Sequence, residues 1–383
     1  MKILLIAPQP FYQERGTPIA VRLIAETLCD FGHEVDLLAY HEGSEITYPG
    51  LRLFRAGRPP GVSNVPIGIS PQKIICDVWL IARMVGLMRR TRYDVIHAVE
   101  ESIFPAALIT SFTRQQLVFD MDSSLADQLT DKWRFLKPLR RVFEWIERSA
   151  IGRSHLVLTV CEDLAVKVRP WVGEKRTVVL PDVPVGSEPT DDVVDDLRKL
   201  VGEQSILCLY VGNLEKYQGI DLMLEAFARV EGKPTQLVII GGQPADVARY
   251  EARSAALRIG HRVRFLGPRP VNNLNAYLTQ ADILISPRTK GQNTPMKVYS
   301  YMHASKAILA TDIRSHTQAL DPTCAVLTAA TPPAFAEGLQ RLASDPELRK
   351  RLGAASCAKV ESEYSVAIFK RKLQHAYGTL KPA

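Results

Sequence analysis

The sequence contains no run of uncharged apolar residues that approaches the ~18 residues a membrane-spanning helix requires. Its first residues, MKILLIAPQP, include only a short apolar run, which is typical of a buried strand rather than of a signal peptide. Both features predict a protein that stays in the cytoplasm.

Metal-ligand spacings are also missing. The six cysteines form no CxxC pair, and the eight histidines show no ligand spacing. Cysteines scattered in this way are typical of small buried residues in a reducing compartment. We therefore expect no bound metal and no other cofactor.

The excess of one charge sign is small. The 48 Lys and Arg residues exceed the 41 Asp and Glu residues by a net charge of +7. Spread over 383 residues, this excess does not indicate a nucleic-acid-binding protein.

The chain begins twice with the same pattern. Near the N-terminus, KILLIA predicts a doubly covered strand, residues 17–28 a helix that opens at Thr17-Pro18, and FGHEVDLLAY a second strand. After Ser205, ILCLYVGN, IDLMLEAFARV and QLVIIGG repeat this order, and RVRFLG and ADILISP add strands. The repeat predicts two doubly wound α/β domains, over residues 1–183 and 204–364.

The remaining segments connect and close these domains. Residues 184–203 are rich in proline and acidic residues, which predicts a linker. Residues 365–383 predict a helix capped by Ser365, with Phe369, Leu373 and Tyr377 on one face.

A dinucleotide-dependent dehydrogenase is an alternative for doubly wound domains. That class requires GxGxxG after a first strand. Neither half of the chain has this motif, and both loops are longer and poorer in glycine. The dehydrogenase alternative is therefore disfavoured.

Ligands of open α/β sheets bind beyond the carboxyl ends of the strands. The first candidate loop is Gln13–Thr17, where Gly16 allows close backbone approach and the free amides beyond Thr17 offer an anion site. A loop shaped only by its turn is the alternative.

The second candidate segment is 285–302, ISPRTKGQNTPMKVYSYM, directly after a predicted buried strand. Thr294-Pro295 is typical of an N-cap and a first helical residue. The amides at Asn293 and Thr294 would then point at a ligand.

Three cations surround this predicted helix start: Arg288, Lys290 and Lys297. Helix amides together with basic side chains suit a diphosphate. A merely solvated loop would not need these cations beside a positive helix end.

The acidic pair Asp120 and Asp122 could hold Mg²⁺ or Mn²⁺ beside a diphosphate. It lies in the N-terminal half, away from the predicted diphosphate segment. A structural or acceptor-binding role is therefore favoured.

Longer motifs resemble one family. YVGNLEKYQGIDLMLEAFARV, LVIIGG, RVRFLGPRPVNNLNAYLTQADILISP and TPMKVYSYMHASKAILATD, in this order, resemble the C-terminal domain of retaining glycosyltransferase family four. PQPFYQERGTPIAVRLIAETLCDFGHEVDLL and YDVIHAVEES resemble its N-terminal, acceptor-side domain. The resemblance covers nearly the whole chain.

This resemblance implies a GT-B fold, in which two Rossmann-like domains face each other across a cleft. It also implies a nucleotide-sugar donor bound by the C-terminal domain, and metal-independent transfer with retention at the anomeric carbon. In such a fold, a final helix within 365–383 packs back on the N-terminal domain.

The family's donor-site positions carry over only in part. Its basic pair falls on Asn213 and Gln218, which are neutral, and its glutamate pair falls near Gln292 and on Ser300. The amides can still donate hydrogen bonds, and Ser300 could bond a ribose hydroxyl. The missing charge would come from Lys216 or from the three cations of the second candidate segment.

In the N-terminal domain, the family's glycine loop falls on the first candidate loop. The histidine that ends YDVIH matches His97, and a second family histidine corresponds to Asp122. These two are the candidate catalytic residues, with Asp122 positioning the acceptor hydroxyl or steadying the sugar. A buried structural histidine is the alternative for His97, which would otherwise act at the acceptor site with Glu100 and Glu101.

Two segments, 72–93 and 131–153, combine apolar and basic residues. In the second, apolar residues at helical spacing are expected to form core contacts: Phe135, Leu139, Val142, Ile146 and Ala150. Its other face is basic and carries Trp133 and Trp145. Such faces suit an anionic membrane surface, as in a peripheral enzyme on the inner face of the cytoplasmic membrane.

We therefore expect a glycosyltransferase that moves a sugar from a nucleotide-diphosphate sugar to a lipid-linked or growing glycan. One alternative is a non-catalytic nucleotide-sugar-binding subunit of a glycan-synthesis complex, which lost turnover with the charged pairs. Another is a GT-B sugar-nucleotide epimerase, for which the sequence offers no convincing set of groups close to the sugar.

Overall fold

The computed structural model of the protein describes residues 1–13, 16–66, 70–185 and 193–381. They form two compact units, one of Met1–Pro181 with Phe369–Ala383 and the other of Asp182–Ile368. Each unit has its own apolar core.

The first unit is built on a parallel sheet. Its strands are β1 (Lys2–Ala7), β2 (Glu34–Ala39), β3 (Leu51–Arg55), β4 (Val95–Val99), β5 (Gln116–Met121), β6 (Leu156–Thr159) and β7 (Thr177–Val179). Their spatial order is β3-β2-β1-β4-β5-β6-β7. Because the winding direction reverses between β1 and β4, the carboxyl ends of these strands mark the switch point of the sheet.

In the described residues of the first unit, six α-helices precede the last strand. They are α1 (Gly16–Asp30), α2 (Pro71–Arg90), α3 (Ile103–Thr110), α4 (Leu125–Lys132), α5 (Arg140–Ile151) and α6 (Glu162–Val172). Short 3-10 turns occupy Glu100–Ser102, Arg134–Leu139 and Glu174–Arg176. Helix α2 begins with residues typical of a helix start. The Ser70 hydroxyl accepts a hydrogen bond from the Lys73 amide, and Pro71 is the first helical residue.

The second unit repeats this architecture. Its elements are α7 (Leu197–Val201), β8 (Ile206–Val211), α8 (Ile220–Phe227), β9 (Thr235–Ile240), α9 (Pro244–Ala256), β10 (Val263–Gly267), α10 (Leu274–Leu278), β11 (Ile283–Ser286), α11 (Met296–His303), β12 (Ala307–Thr311), α12 (Arg314–Thr317), β13 (Val326–Thr328), α13 (Pro332–Ser344) and α14 (Pro346–Glu363). Three more 3-10 turns lie at Lys216–Gln218, Gly260–Arg262 and Val271–Asn273. The parallel strands follow the order β10-β9-β8-β11-β12-β13, so the switch point lies between β8 and β11.

Both faces of the second sheet are covered by apolar side chains. Alternate residues of β8 show this, since Cys208 and Tyr210 belong to one buried cluster and Leu207 and Leu209 to the other. Strands buried on both faces are continuous apolar runs in the sequence. The predicted strands in KILLIA, FGHEVDLLAY, ILCLYVGN, QLVIIGG, RVRFLG and ADILISP are therefore confirmed.

The boundaries differ from the sequence interpretation in two places. The segment interpreted as a linker, 184–203, contains α7, whose Leu197 and Val201 are buried in the second unit's core. The last helix, α15 (Val366–Tyr377), buries the three predicted residues Phe369, Leu373 and Tyr377. The second difference is the start of the C-terminal segment that belongs to the first unit, which is Phe369 rather than residue 365.

The apolar stripe predicted as core in 131–153 is buried only at Ala150, and the prediction was wrong for the other four residues. Phe135 is 76% exposed, Val142 is 50% exposed, and Leu139 and Ile146 are also exposed. Helix α5 instead turns Glu147, together with Ala150 and Ile151, inward. The glutamate can be buried because its carboxylate accepts hydrogen bonds from the Ser124 hydroxyl and the Leu125 amide.

Three further features bear on the sequence expectations. All six cysteines are free thiols, and only Cys29 and Cys357 are partly exposed. In the part of the chain that the structure describes, no helix is long and apolar enough to cross a membrane. No group of three or more His, Cys, Asp or Glu side chains there could hold a metal ion.

Candidate functional site

Two loops meet at the switch point of the second sheet. We call residues 212–219, which follow β8, the β8 loop, and residues 287–295, which follow β11, the β11 loop. Their backbones approach closely, because a Cβ on Gly219 would lie 2.0 Å from the Pro287 carbonyl oxygen. Gly219 also adopts a positive φ of 75°, which favours glycine at this position.

Lys297, near the start of α11, extends beneath the β8 loop. Its ammonium is buried, has no hydrogen-bond partner among the described residues, and lies 4.0 Å from the ring centroid of Tyr210. It would lie 2.8 Å from a Cβ placed on Gly212, whose φ is 147°. Glycine at position 212 therefore gives the ammonium access to the carboxyl end of β8.

The electrostatic state of Lys297 follows from this burial. Loss of hydration, with a further contribution from the charge of Arg288, lowers the pKa of Lys297 well below its usual range. A buried amine without a partner is energetically unfavourable. The site therefore gains from an anion that would restore a counter-charge to the ammonium.

Arg288 is buried within the β11 loop rather than free beside it. Its guanidinium donates to the Lys290 carbonyl at 2.7 Å and to the Asn293 carbonyl at 3.0 Å, and it lies 5.3 Å from the ring centroid of Tyr217. Burial lowers its pKa from the usual value. Arg288 thus shapes the loop, while its charge stays beside the switch point.

Helix α11 begins one residue later than predicted. Pro295 has an extended ψ of 129° and occupies the cap position, so the first helical residue is Met296. The Thr294 hydroxyl therefore caps nothing, and it is buried without a hydrogen-bond partner in the described part of the chain. The prediction of Thr294 as N-cap was wrong, because the backbone turns into the helix only after the proline.

Ser300 is also placed differently from its predicted role. It is fully buried on the inner face of α11, and its Oγ accepts the Val185 amide at 3.0 Å. The serine anchors the segment that enters the second unit, because its helix position faces the interior. In this arrangement its side chain is not directed at a ligand-accessible surface.

The positions of the family's basic pair lie on the β8 loop. Asn213 is exposed, and its side-chain oxygen accepts the Glu215 amide at 3.3 Å. Gln218 is buried, and its side-chain oxygen has no partner within the described ranges. The loop therefore presents amide groups where the family has charge.

A cavity of about 440 Å³ opens beside the two loops, lined by Glu215, Lys216, Tyr217, Asp246, Arg249, Thr289 and Lys290. Arg249 pairs with Asp246 at 3.1 Å. Lys216 and Lys290 are exposed. Together with Lys297 and Arg288, the structure brings four predicted cations to one edge of the second sheet.

In the first unit, the switch point carries a glutamate, Glu100, whose backbone is strained. Glu100 follows β4 with φ of 51°, in the left-handed region. The Ser123 hydroxyl lies 2.9 and 3.1 Å from its two carboxylate oxygens, and burial and neighbouring Glu101 raise its pKa. Glu101 itself pairs with Lys73 at 2.5 Å.

His97 lies in β4 and is fully buried. Its Nδ1 lies 2.6 Å from the Tyr377 hydroxyl on α15, and its Nε2 lies 3.7 Å from the Asp120 carboxylate. This geometry favours the structural alternative for His97. Asp122 follows β5 and is half-buried beside Ser123, so it lies at the carboxyl edge of this sheet.

The first candidate loop is described only in part, since positions 14 and 15 lie outside the described residues. Gly16 is exposed with open space around its Cα, and it is already the first residue of α1, so the helix starts before Thr17. Thr17 is therefore inside the helix rather than its cap. The donor-binding role of both residues stays a prediction.

Two family models match the chain in succession. The "Glycosyl transferase 4-like domain" matches residues 15–182, and "Glycosyl transferases group 1" matches residues 196–358. The chain belongs to the group 1, family 4 glycosyltransferases. The resemblance seen in the sequence motifs is thereby confirmed, and so is the GT-B fold class of two parallel-sheet domains.

Curated relatives of this glycosyltransferase share about a quarter of their residues with it. A phosphatidyl-myo-inositol mannosyltransferase of Mycobacterium tuberculosis is 27% identical over 396 aligned positions, which cover 99% of this chain and 97% of the relative. A D-inositol 3-phosphate glycosyltransferase of Corynebacterium diphtheriae is 26% identical over 194 residues. That second match spans 46% of this chain and only 45% of the relative.

Solved structures show the same fold at low identity. A sucrose-phosphate synthase from Thermosynechococcus elongatus superposes with a TM-score of 0.83 and 18% identity, covering 99% of this chain and 98% of that one. Anabaena HepE in complex with UDP superposes with a TM-score of 0.75 and 15% identity, covering 99% and 100%.

The sequence did not indicate several residues that lie near the switch points of the two sheets. Tyr210 and Tyr217 lie in segments interpreted only as strand and loop, yet their rings contact the two buried cations. The sequence marks Glu100 as a polar group after a predicted strand, but the strain of its backbone is visible only in the structure.

Proposed function

We propose that this glycosyltransferase binds the diphosphate of a nucleotide-sugar donor at the switch point of its second unit, with Lys297 as the main counter-charge. The observation that carries the proposal is the buried ammonium of Lys297 at the carboxyl end of β8, which has no hydrogen-bond partner among the described residues. The family's basic pair is replaced by Asn213 and Gln218, so another cation has to meet the donor's charge.

The neighbouring groups complete the proposed diphosphate site. Lys216 and Lys290 line the adjacent cavity. The buried Thr294 hydroxyl, which has no hydrogen-bond partner among the described residues, can donate to a phosphate oxygen, whereas the unused atom of Gln218 is its amide oxygen, which can only accept. Arg288 adds positive potential while its hydrogen bonds hold the β11 loop, and UDP in the HepE complex supports a nucleotide ligand of this class.

For the reaction, we propose metal-independent transfer with retention at the anomeric carbon. Breaking the glycosyl–phosphate bond moves negative charge onto the leaving diphosphate, and cations fixed in a desolvated site stabilise it. The leaving phosphate can take the proton of the incoming hydroxyl, so no protein nucleophile is required. Asp122 is the proposed positioning group for the acceptor.

We propose a lipid-linked acceptor reached from an anionic membrane surface. Helix α5 and the 3-10 turn before it expose an apolar stripe, with Phe135 and Leu139 on the turn and Val142 and Ile146 on the helix beside Trp145, which is 68% exposed. Helix α2 likewise exposes Ile74, Ile75, Val78 and Trp79. Basic residues flank both stripes, as expected for helices that lie on anionic lipid.

The donor proposal is tested by thermal shift with UDP, GDP, ADP, dTDP and CMP, each with and without its sugar. A ligand that binds only the folded state raises the melting temperature. We expect one nucleoside diphosphate to stabilise the wild-type protein, and Lys297→Met to remove that shift. The control is Lys350→Met, at an exposed position on α14.

Each other outcome has a defined meaning. A shift of equal size in Lys297→Met would remove Lys297 from the site. Binding without turnover on any acceptor from membrane extracts would favour the non-catalytic nucleotide-sugar-binding subunit. An epimerised donor without acceptor would favour the epimerase.

A further inference from the structure

A chain of buried polar groups lies beneath the β11 loop and makes none of the proposed donor contacts. At its centre is His316 on α12, which is fully buried. Its Nε2 lies 2.8 Å from Ser286 Oγ at the end of β11, and its Nδ1 lies 2.9 Å from the Thr311 carbonyl oxygen at the end of β12. The imidazole therefore ties together the carboxyl ends of two neighbouring strands.

The hydrogen-bond partners define the state of this imidazole. A carbonyl oxygen can only accept, so Nδ1 carries the proton and Nε2 accepts from the Ser286 hydroxyl. Burial, with contributions from the charges of Arg288 and Lys297, lowers the pKa of His316 to about 4, although its bond to Thr311 acts in the opposite direction. His316 is thus neutral at pH 7, the form that permits both bonds.

The chain continues from His316 to the β11 loop through Thr311. The Thr311 hydroxyl also lies 3.0 Å from His316 Nδ1, and it donates to the backbone carbonyl of Arg288. The Arg288 guanidinium in turn bonds the carbonyls of Lys290 and Asn293. A hydrogen-bond network of this kind restricts the motion of a loop, because each side chain in it bonds to two neighbours.

We propose that His316 is a positioning residue for the donor diphosphate, which acts through Thr311 and Arg288 to hold the β11 loop in its binding geometry. The proposal rests on the proposed donor site at this loop. A loop held in advance loses less entropy on binding, so affinity for the nucleotide depends on His316 without direct contact.

The test uses the full chain and measures Kd by calorimetry for UDP, GDP, ADP and dTDP. We expect His316→Leu to raise the Kd for the nucleoside diphosphate that the wild-type protein binds by about tenfold or more. His316→Asn, whose amide N–H can reach the Thr311 carbonyl, should recover part of the affinity. Thr311→Val, which removes the hydroxyl and with it the contacts to the Arg288 carbonyl and to His316 Nδ1, should weaken binding several-fold.

A control separates positioning from general destabilisation. Leu339→Ala removes buried apolar contacts of α13 in the same unit, and Leu339 is not one of the hydrogen-bonded residues that connect Ser286 to Arg288. It should lower the melting temperature while leaving the Kd of the folded protein unchanged.

The outcomes distinguish the two proposals. If wild-type protein binds a nucleoside diphosphate and the folded His316→Leu and Thr311→Val variants bind it equally well, the positioning role is overturned and the donor site stands. Should His316→Leu fail to fold, the Thr311→Val and His316→Asn affinities decide alone. If wild-type protein binds none of the four ligands, the donor site itself is wrong and the positioning role falls with it.

Discussion

The ammonium of Lys297 lies 4.0 Å from the centre of the Tyr210 ring, buried under the loop that follows β8. A cation over an aromatic face is partly compensated by the ring's negative face, but it lacks the hydrogen bonds that water would give. The pair therefore holds an amine ready to accept a negatively charged ligand. Three of the predictions below concern this amine or its surroundings.

Gly212→Ala should abolish nucleotide binding and lower the free energy of unfolding by about 1–3 kcal/mol. The new Cβ would meet the Lys297 ammonium at 2.8 Å, at a φ of 147° that side chains rarely adopt. Chemical denaturation and calorimetry measure the two effects. Gly232→Ala is the matched control, because φ is 92° there and nothing lies within 4 Å of the added Cβ. Equal nucleotide affinity in both variants would show that Lys297 does not need this access.

Nucleotide affinity should fall as pH rises through the window between the free and bound pKa of Lys297. Burial holds the pKa of the free amine well below its usual range, and a bound diphosphate would raise it, so binding takes up a proton. The Kd should weaken by at most about tenfold per pH unit within that window.

Calorimetry above pH 7.5 isolates this effect, because a terminal phosphate with a pKa of about 6 is then largely ionised. Repeating the titration in buffers of different ionisation heat counts the proton directly. In Lys297→Met both the slope and the proton uptake should disappear, and a slope that persists would assign the proton to another group.

The free energy of unfolding of the wild-type protein should depend on pH because of Lys297. Because its folded-state pKa is below the unfolded value, the unfolded chain binds more protons between the two values, and stability rises with pH in that range. Lys297→Met should show a smaller rise across the same range in urea denaturation. Parallel stability curves for the two proteins would indicate that the amine is not desolvated.

Tyr377→Phe should lower the free energy of unfolding by about 1 kcal/mol, because it leaves His97 Nδ1 without its buried partner. Amide hydrogen exchange should accelerate first along α15. Tyr364→Phe is the control, since that hydroxyl donates to the Gln318 carbonyl over a longer distance of 3.4 Å. Unchanged exchange along α15 would mean that the His97 contact does not anchor the helix.

The double variant Val142→Ser with Trp145→Ser should reduce binding to phosphatidylglycerol vesicles in co-sedimentation without loss of stability. Both side chains are at least half exposed, so their removal costs little packing. Val193→Ser, at a position 94% exposed in the second unit, is the control. Retained binding by the double variant would exclude α5 as the membrane surface.

The two-domain architecture was predictable because each doubly covered strand leaves an uninterrupted apolar run, as in KILLIA and ILCLYVGN. The position of the second candidate segment after a buried strand was also predictable, since ADILISP is an uninterrupted apolar run. Its donor-binding role stays a prediction. The α5 stripe shows the limit of such reasoning. Periodicity identifies residues that share a helix face, but not whether another element covers that face.

The sequence by itself determined the class of the protein, because ordered motifs over both halves specify the family and the two parallel sheets. Only the tertiary structure decided which cations could meet a ligand. Arg288 and Lys297 are both basic residues of one short segment. Arg288 is hydrogen-bonded to its own loop, whereas Lys297 is buried with no hydrogen-bond partner in the part of the chain that the structure describes. Burial and hydrogen bonding arise from contacts distant in sequence, such as Lys297 with Gly212 and Tyr210, and no local pattern encodes them.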